Sequence, residues 1–208
     1  MLFDESIDRV KSALLLPLPG EAAQHLLAPV FRKTTRELLK ERPSHRMSSV
    51  MMLLYPDSNG VTHTVFIERP ISSSVHSGQI AFPGGKVEEH DLNLEQTALR
   101  ETEEEIGVAG DKIQVLGTLS PLFIPASNFL VQPYIGVCES EPEFIANPDE
   151  VKSIIPFSIP ELLKMDSVIK TFITPYGNLQ APCFEIYSHD LWGATAMMVS
   201  EFREMIGK

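Results

Sequence analysis

The sequence predicts an α/β (α+β) fold: a sandwich of helices on a mixed β-sheet, preceded by an N-terminal helical extension. Three observations predict it. Two β-rich runs joined by a turn occupy 48–68, a capped acidic helix comes next, and a series of short strand-like segments leads to a last helix. The extension is assigned to 1–45 and the main domain to 46–208.

From Asp4 to Leu16 apolar residues recur at helical spacing until Pro17, Pro19 and Gly20 interrupt them. A second helical region, Glu21 to Glu41, is expected to break near Pro29, whose ring and missing N–H exclude a continuous helix. Ser48 to Tyr55 reads as a buried strand, Asp57 to Gly60 as a turn, and Val61 to Glu68 as the partner strand. After a polar loop, a short strand near Gln79 to Phe82 is punctuated by Pro83-Gly84-Gly85. Asn93 with Gln96 three residues later has the form of a capping box, and Gly107 stands where a helix ends. Strands are expected at Lys112 to Ser120, Phe129 to Cys138, Val151 to Pro156, Val168 to Thr174 and Cys183 to Tyr187, with a last helix from Leu191 to Met205.

The chain is 43% hydrophobic and 22% charged, enough apolar material to enclose a core in 208 residues. Its net charge of −11, with no basic aromatic stripe, argues against nucleic acid as a partner. No apolar run approaches the ~20 residues that cross a bilayer. The N-terminus lacks a secretory pattern and the C-terminus a peroxisomal one, so a cytoplasmic setting is expected. Cys138 and Cys183 sit in apolar runs and read as buried free thiols. The N-terminal helices carry no catalytic pattern and could serve a homodimer contact or simple packing.

On a helical wheel of ~100° per residue, Glu101, Glu104 and Glu105 gather on one side, opposite Leu99, Thr102 and Ile106. Carboxylates this close destabilise a helix unless water screens them or a cation neutralises them. A solvated acidic face is the ordinary explanation. The preceding Gly84-Gly85 turn points instead to a metal, because it lets a bare backbone carbonyl approach the same ion, and Arg100 can orient the acids. Hard oxygen ligands suit Mg²⁺ or Mn²⁺.

Gly85 to Val108, GKVEEHDLNLEQTALRETEEEIGV, resembles the Nudix box: Gly, five residues, Glu, seven residues, then Arg-Glu-apolar-x-Glu-Glu-x-Gly-apolar. Arg100, Glu101, Glu104, Glu105, Gly107 and Val108 match. Asp91 takes the first acidic position, one residue further from Arg100 than usual, and Thr102 replaces an apolar residue. The resemblance implies a Nudix-type α/β/α sandwich in which Glu101, Glu104 and Glu105 hold the metal, the Gly85 carbonyl assists, and Arg100 locks the carboxylates.

Phe66-Ile67-Glu68-Arg69, His76 to Gly85, Leu119-Ser120-Pro121, Ser127-Asn128-Phe129, Val131-Gln132-Pro133 and Trp192 to Ala196 are similar to coenzyme A pyrophosphatases, over about Ser48 to Ser200. Pro70 and Ser74 depart from that subfamily, which has a small residue and a second arginine there. The implied substrate is a nucleoside diphosphate derivative, coenzyme A or a relative of it. The alternatives are an ADP-ribose or dinucleotide pyrophosphatase and a non-catalytic nucleotide-binding regulator. Arg69 could meet substrate phosphate or a box glutamate, His76 could meet phosphate or cap a turn, and Glu150 could be a base or outer ligand or lie in a solvated turn.

Overall fold

The computed structural model describes residues 2–71, 76–175 and 177–207. The chain opens with α1 (Phe3–Leu14) and α2 (Gly20–Gln24), which tightens into a 3₁₀ turn at His25–Leu27. The expected break comes next, and it runs from Ala28 to Thr34 before α3 (Thr35–Glu41) begins. That helix starts on its own capping box: Glu37 N–H donates to Thr34 Oγ1 at 3.2 Å, and the Glu37 carboxylate accepts from Thr34 N–H at 2.9 Å.

The main sheet is built from β1 (Arg46–Pro56), β2 (Thr62–Glu68), β3 (Ile80–Ala81), β4 (Gly84–Lys86), β5 (Gln114–Thr118), β6 (Leu122–Ile124), β7 (Phe129–Val137) and β8 (Ser153–Ser158). Its central order is β3-β2-β1-β7-β5, with β4 on β1, β6 on β7 and β8 on β2. β1 and β7 run parallel from Arg46↔Phe129 to Leu54↔Val137, while the other pairs are antiparallel, so the sheet is mixed.

Successive side chains of a strand point to opposite faces, and β1 buries both of its faces. Met52 and Leu54 enter one apolar cluster, and Met51, Leu53 and Tyr55 enter the other. Cover on either side explains the unbroken apolar run. The first cluster takes in α6 (Gly193–Ile206) and Ile7, Val10 and Leu27 of the N-terminal segment; the second takes in α4 (Leu94–Ile106). These layers make the α/β/α sandwich.

A second sheet, β11-β10-β9, comprises β9 (Val168–Thr174), β10 (Gly177–Ile186) and β11 (His189–Trp192), after α5 (Ile159–Lys164). Four short elements lay outside the expected pattern: β4, β6, α5 and β11. The last helix therefore starts at Gly193, two residues later than expected, because His189–Trp192 pairs with β10 first. A start signal for α5 was present in Ser158-x-x-Glu161 with Pro160 in the first turn.

The N-terminal helices are clasped to the last one. Glu201, fully buried on α6, accepts from Gly20 N–H at 3.1 Å, Gln24 Nε2 at 2.9 Å and Ser120 N–H at 3.1 Å, and Ser200 donates to the Ala23 carbonyl at 2.7 Å. Both cysteines are buried and free, and burial pushes the Cys138 thiol up to about 11. Among the described residues no helix is long and apolar enough to cross a membrane.

Candidate metal centre

The acidic helix α4 begins where Asn93 Oδ1 accepts from Gln96 N–H at 2.9 Å and ends at Gly107, whose φ of 75° lies in the left-handed region. Ala98, Thr102 and Ile106 anchor it in the core, while Leu99 is only half-buried. Thr102 fits there because its hydroxyl donates to the Ala98 carbonyl at 2.6 Å, which leaves no polar atom stranded.

The three glutamates do not share one solvated face. Glu101 and Glu105 are buried, with exposures of 8% and 1%, whereas Glu104 points outward. The sequence explains this, because the strand beneath them, β4, opens with two glycines. A Cβ on Gly85 would lie 2.4 Å from Glu101 Oε2, and one on Gly84 would lie 2.3 Å from the Ser49 carbonyl oxygen. The bare backbone leaves the space that the carboxylates fill, and Gly84 N–H donates to Glu105 Oε2 at 2.7 Å.

Arg100 hydrogen-bonds to two of the acids. Its Nη1 donates to Glu101 Oε1 at 3.0 Å and Glu104 Oε2 at 2.8 Å, and its Nη2 reaches the Lys86 carbonyl at 3.1 Å. Asp91 proves to be its two-point partner, accepting from Nε at 2.9 Å and Nη2 at 3.0 Å, and taking further donors from Glu88 N–H and Thr97 Oγ1. The guanidinium holds the Asp91 carboxyl well below the usual carboxylate range.

Glu150 joins from a distant loop. Asn147 N–H donates to the Glu105 carbonyl at 3.0 Å and Ile145 N–H to that of Ile106 at 2.9 Å, which pins the loop to the end of α4. Carboxylate oxygens of Glu101, Glu105 and Glu150 consequently lie within 4.8 Å of one another. Arg69, ending β2, donates to the Gly84 carbonyl at 3.0 Å and stands 3.8 Å from Glu105. His76 lies apart from the carboxylates, with Nδ1 3.1 Å from Gln79 Oε1, and burial lowers its pKa. Pro70 is described; Ser74 lies outside the described residues.

Burial pushes Glu105 up to about 8; Arg69 and the Gly84 N–H oppose the rise, and the charges of Glu101 and Glu150 add to it. Burial raises Glu101 as well. Five acids and three bases line this hollow of about 300 Å³, and an all-oxygen set with an excess of negative charge fits a hard divalent cation. Glu101, Glu104, Glu105, Glu150 and the Gly85 carbonyl are the groups available to hold one.

The hollow adjoins a cavity of about 1600 Å³ that shares Arg69, Gly84, Gly85 and Lys86 with it. His76 and the stacked pair Phe172 and Trp192, 4.1 Å apart at 8°, also line that cavity. Sequence reasoning missed Glu68 in its wall. Glu68 accepts from Lys152 Nζ at 2.7 Å, Ser153 Oγ at 2.8 Å and His189 Nε2 at 3.3 Å, tying the second sheet to the main one. Its only signal was a carboxylate ending an apolar run.

An acidic helix set against a glycine strand, on a mixed sheet with a large cavity alongside, defines a hydrolase domain of the acidic-helix type. The chain belongs to the NUDIX family, whose domain matches residues 45–174. An uncharacterized Nudix hydrolase NudL of Photorhabdus laumondii subsp. laumondii is 34% identical over 132 residues, which cover 63% of this chain and 70% of that protein. The NudL of Escherichia fergusonii is 27% identical over 179 residues, covering 85% and 91%. Among solved structures, a Nudix hydrolase from M. smegmatis, RenU, shares the fold at a TM-score of 0.55 and 16% identity, covering 78% of this chain and 86% of that one. The NUDIX domain of Shewanella oneidensis NrtR, complexed with ADP ribose, does so at 0.53 and 18%, covering 83% and 98%.

Proposed function

We propose that the chain hydrolyses the diphosphate link of coenzyme A or one of its derivatives in the presence of Mg²⁺ or Mn²⁺, giving adenosine 3′,5′-bisphosphate and 4′-phosphopantetheine. The observation that carries this reading is the set of three carboxylates within 4.8 Å at the edge of a 1600 Å³ cavity. The resemblance to coenzyme A pyrophosphatases over Ser48 to Ser200 supports the choice of substrate.

A divalent ion held by these groups would supply Lewis-acid charge beside the diphosphate and would lower the pKa of a water. Glu101 and Glu105 would supply buried ligand oxygens, with Glu104 and the Gly85 carbonyl as further donors. Arg100 fixes Glu101 and Glu104 in place, so their orientation is set before substrate arrives. Glu150, exposed beside the cluster, would accept the proton of the attacking water. Arg69 presents positive charge to the phosphates, and His76 faces the same cavity.

The test is a panel of coenzyme A, ADP-ribose, NADH and nucleoside triphosphates with Mg²⁺ and Mn²⁺, scored by product identity. The expected result is cleavage of coenzyme A to the two named products. Preferential cleavage of ADP-ribose or a dinucleotide would replace that substrate, and tight nucleotide binding without turnover would make the domain a regulator.

A further inference from the structure

The large cavity has a second charged end, supplied by the N-terminal segment. Phe31, Arg32 and Arg42 line it together with Pro125, Asn128 and Phe129. Arg32 donates through Nη2 to the Phe123 carbonyl, and Arg42 through Nη1 to the Pro125 carbonyl at 2.7 Å. Among the described residues neither guanidinium has a carboxylate within 4.0 Å. The Nε of Arg32 is buried without a hydrogen-bond partner. Glu21, whose Oε1 accepts from the N–H groups of Thr35 and Arg36, attracts Arg32 from beyond 4.0 Å, and burial still lowers the arginine's pKa. A partly desolvated guanidinium with an unsatisfied Nε and no carboxylate in direct contact gains from an anion that reaches it.

The balance of charge in the cavity points the same way. In a chain of net charge −11, the lining holds Arg32, Arg42, Arg69 and Lys86 against two carboxylates, Glu68 and Asp190. Both acids are already paired, Glu68 with Lys152 and Asp190 with Lys170. Arg69 and Lys86 face Glu105 and Glu88, so Arg32 and Arg42 are the lining cations with no carboxylate within 4.0 Å among the described residues. The arginine end of the cavity therefore favours a negative group on the ligand.

Position adds a constraint. Gly85 pairs with Ser49, Ser49 with Gln132, and β6 lies on the far side of β7, so three strand spacings separate the carboxylate site from the carbonyls that hold the arginines. At ~4.8 Å per spacing that is about 15 Å, so a ligand that meets both ends must be extended along the cavity. Phe31 is 98% exposed and adopts a φ of 63°, a conformation disfavoured for a residue with a Cβ. It offers a bare aromatic ring beside Arg32.

We propose that Arg32 and Arg42 bind a substrate phosphate outside the scissile link, with Phe31 against the neighbouring base. The ligand class is a nucleoside that carries a 5′-diphosphate and a separate ribose phosphate. The proposal rests on the hydrolase reading for the diphosphate end alone.

The test measures calorimetric binding of adenosine 3′,5′-bisphosphate and adenosine 5′-monophosphate to the full chain with Mg²⁺, for wild type, Arg42→Gln and Arg42→Lys. The wild type should prefer the bisphosphate about tenfold or more. Arg42→Gln should bring the ratio to about one, and Arg42→Lys should keep part of it. Equal affinities in the wild type, or a preference that survives Arg42→Gln, overturns the subsite. Because no turnover is read, a preference lost in Arg42→Gln upholds the subsite even if the substrate panel finds no coenzyme A cleavage.

Discussion

Gly85 and Glu101 occupy one space between them: a single added carbon on the glycine would stand 2.4 Å from the carboxylate. Gly85→Ala should therefore push Glu101 out of the cluster. The expected result is a loss of about 10- to 100-fold in Mn²⁺ affinity by calorimetry, with hydrolysis falling in step. Unchanged affinity would show that Glu101 is not a ligand.

Glu105→Gln should have opposite effects on activity and stability. Turnover should drop by about 100-fold or more with a ligand charge gone. In chelator, the variant should melt higher than wild type, because a buried carboxylate has been replaced by a neutral amide. Glu104→Gln, at a half-exposed position, should lose activity with little change in melting. Paired activity assays and thermal melts check all three outcomes.

The raised pKa of Glu105 gives a pH signature. In the unfolded chain its carboxyl ionises near the ordinary value of about 4.3, while in the folded metal-free protein it holds its proton to about 8. Between those values the folded state binds more protons, so stability falls as pH rises. In chelator, the wild-type deficit relative to Glu105→Gln should widen from pH 5 to 8 and then level off, as read from urea midpoints. A constant difference across that range would contradict the assignment.

Asp91→Asn should destabilise by about 2–3 kcal/mol, because it leaves the largely enclosed Arg100 without its two-point partner. The depressed Asp91 pKa means that its contribution is present above the ordinary value and is lost as pH falls below about 4. Denaturation of wild type and variant at pH 6 and pH 3 should show the gap closing at the lower pH.

The long elements were legible because each carried a periodic pattern with punctuation. Val168–Thr174 was bounded as expected, and α4 lies between its predicted caps Asn93 and Gly107. The three- to four-residue strands β4, β6 and β11 carry too little sequence for any period, and pairing partners elsewhere define them. The acidic trio was visible, but the inward turn of Glu101 and Glu105 was not. The wheel assumed that carboxylates face water, and only the bare backbone of β4 reverses that. Glu150 could be named as a candidate, yet its approach depends on hydrogen bonds from Ile145 and Asn147 to the end of α4. Arg32 and Arg42 carried no local signal, because β6 and the cavity give them their meaning.

The clasp at Glu201 sets an order on biosynthesis. Its acceptor oxygens are translated 181 residues after the Gly20 amide they receive. At ribosomal speeds of ~5–20 residues per second, the first helices wait about 10–40 s for the segment that closes over them. Through that interval the apolar sides of Ile7, Val10 and Leu27 lack the α6 surface that they share a core with in the folded chain.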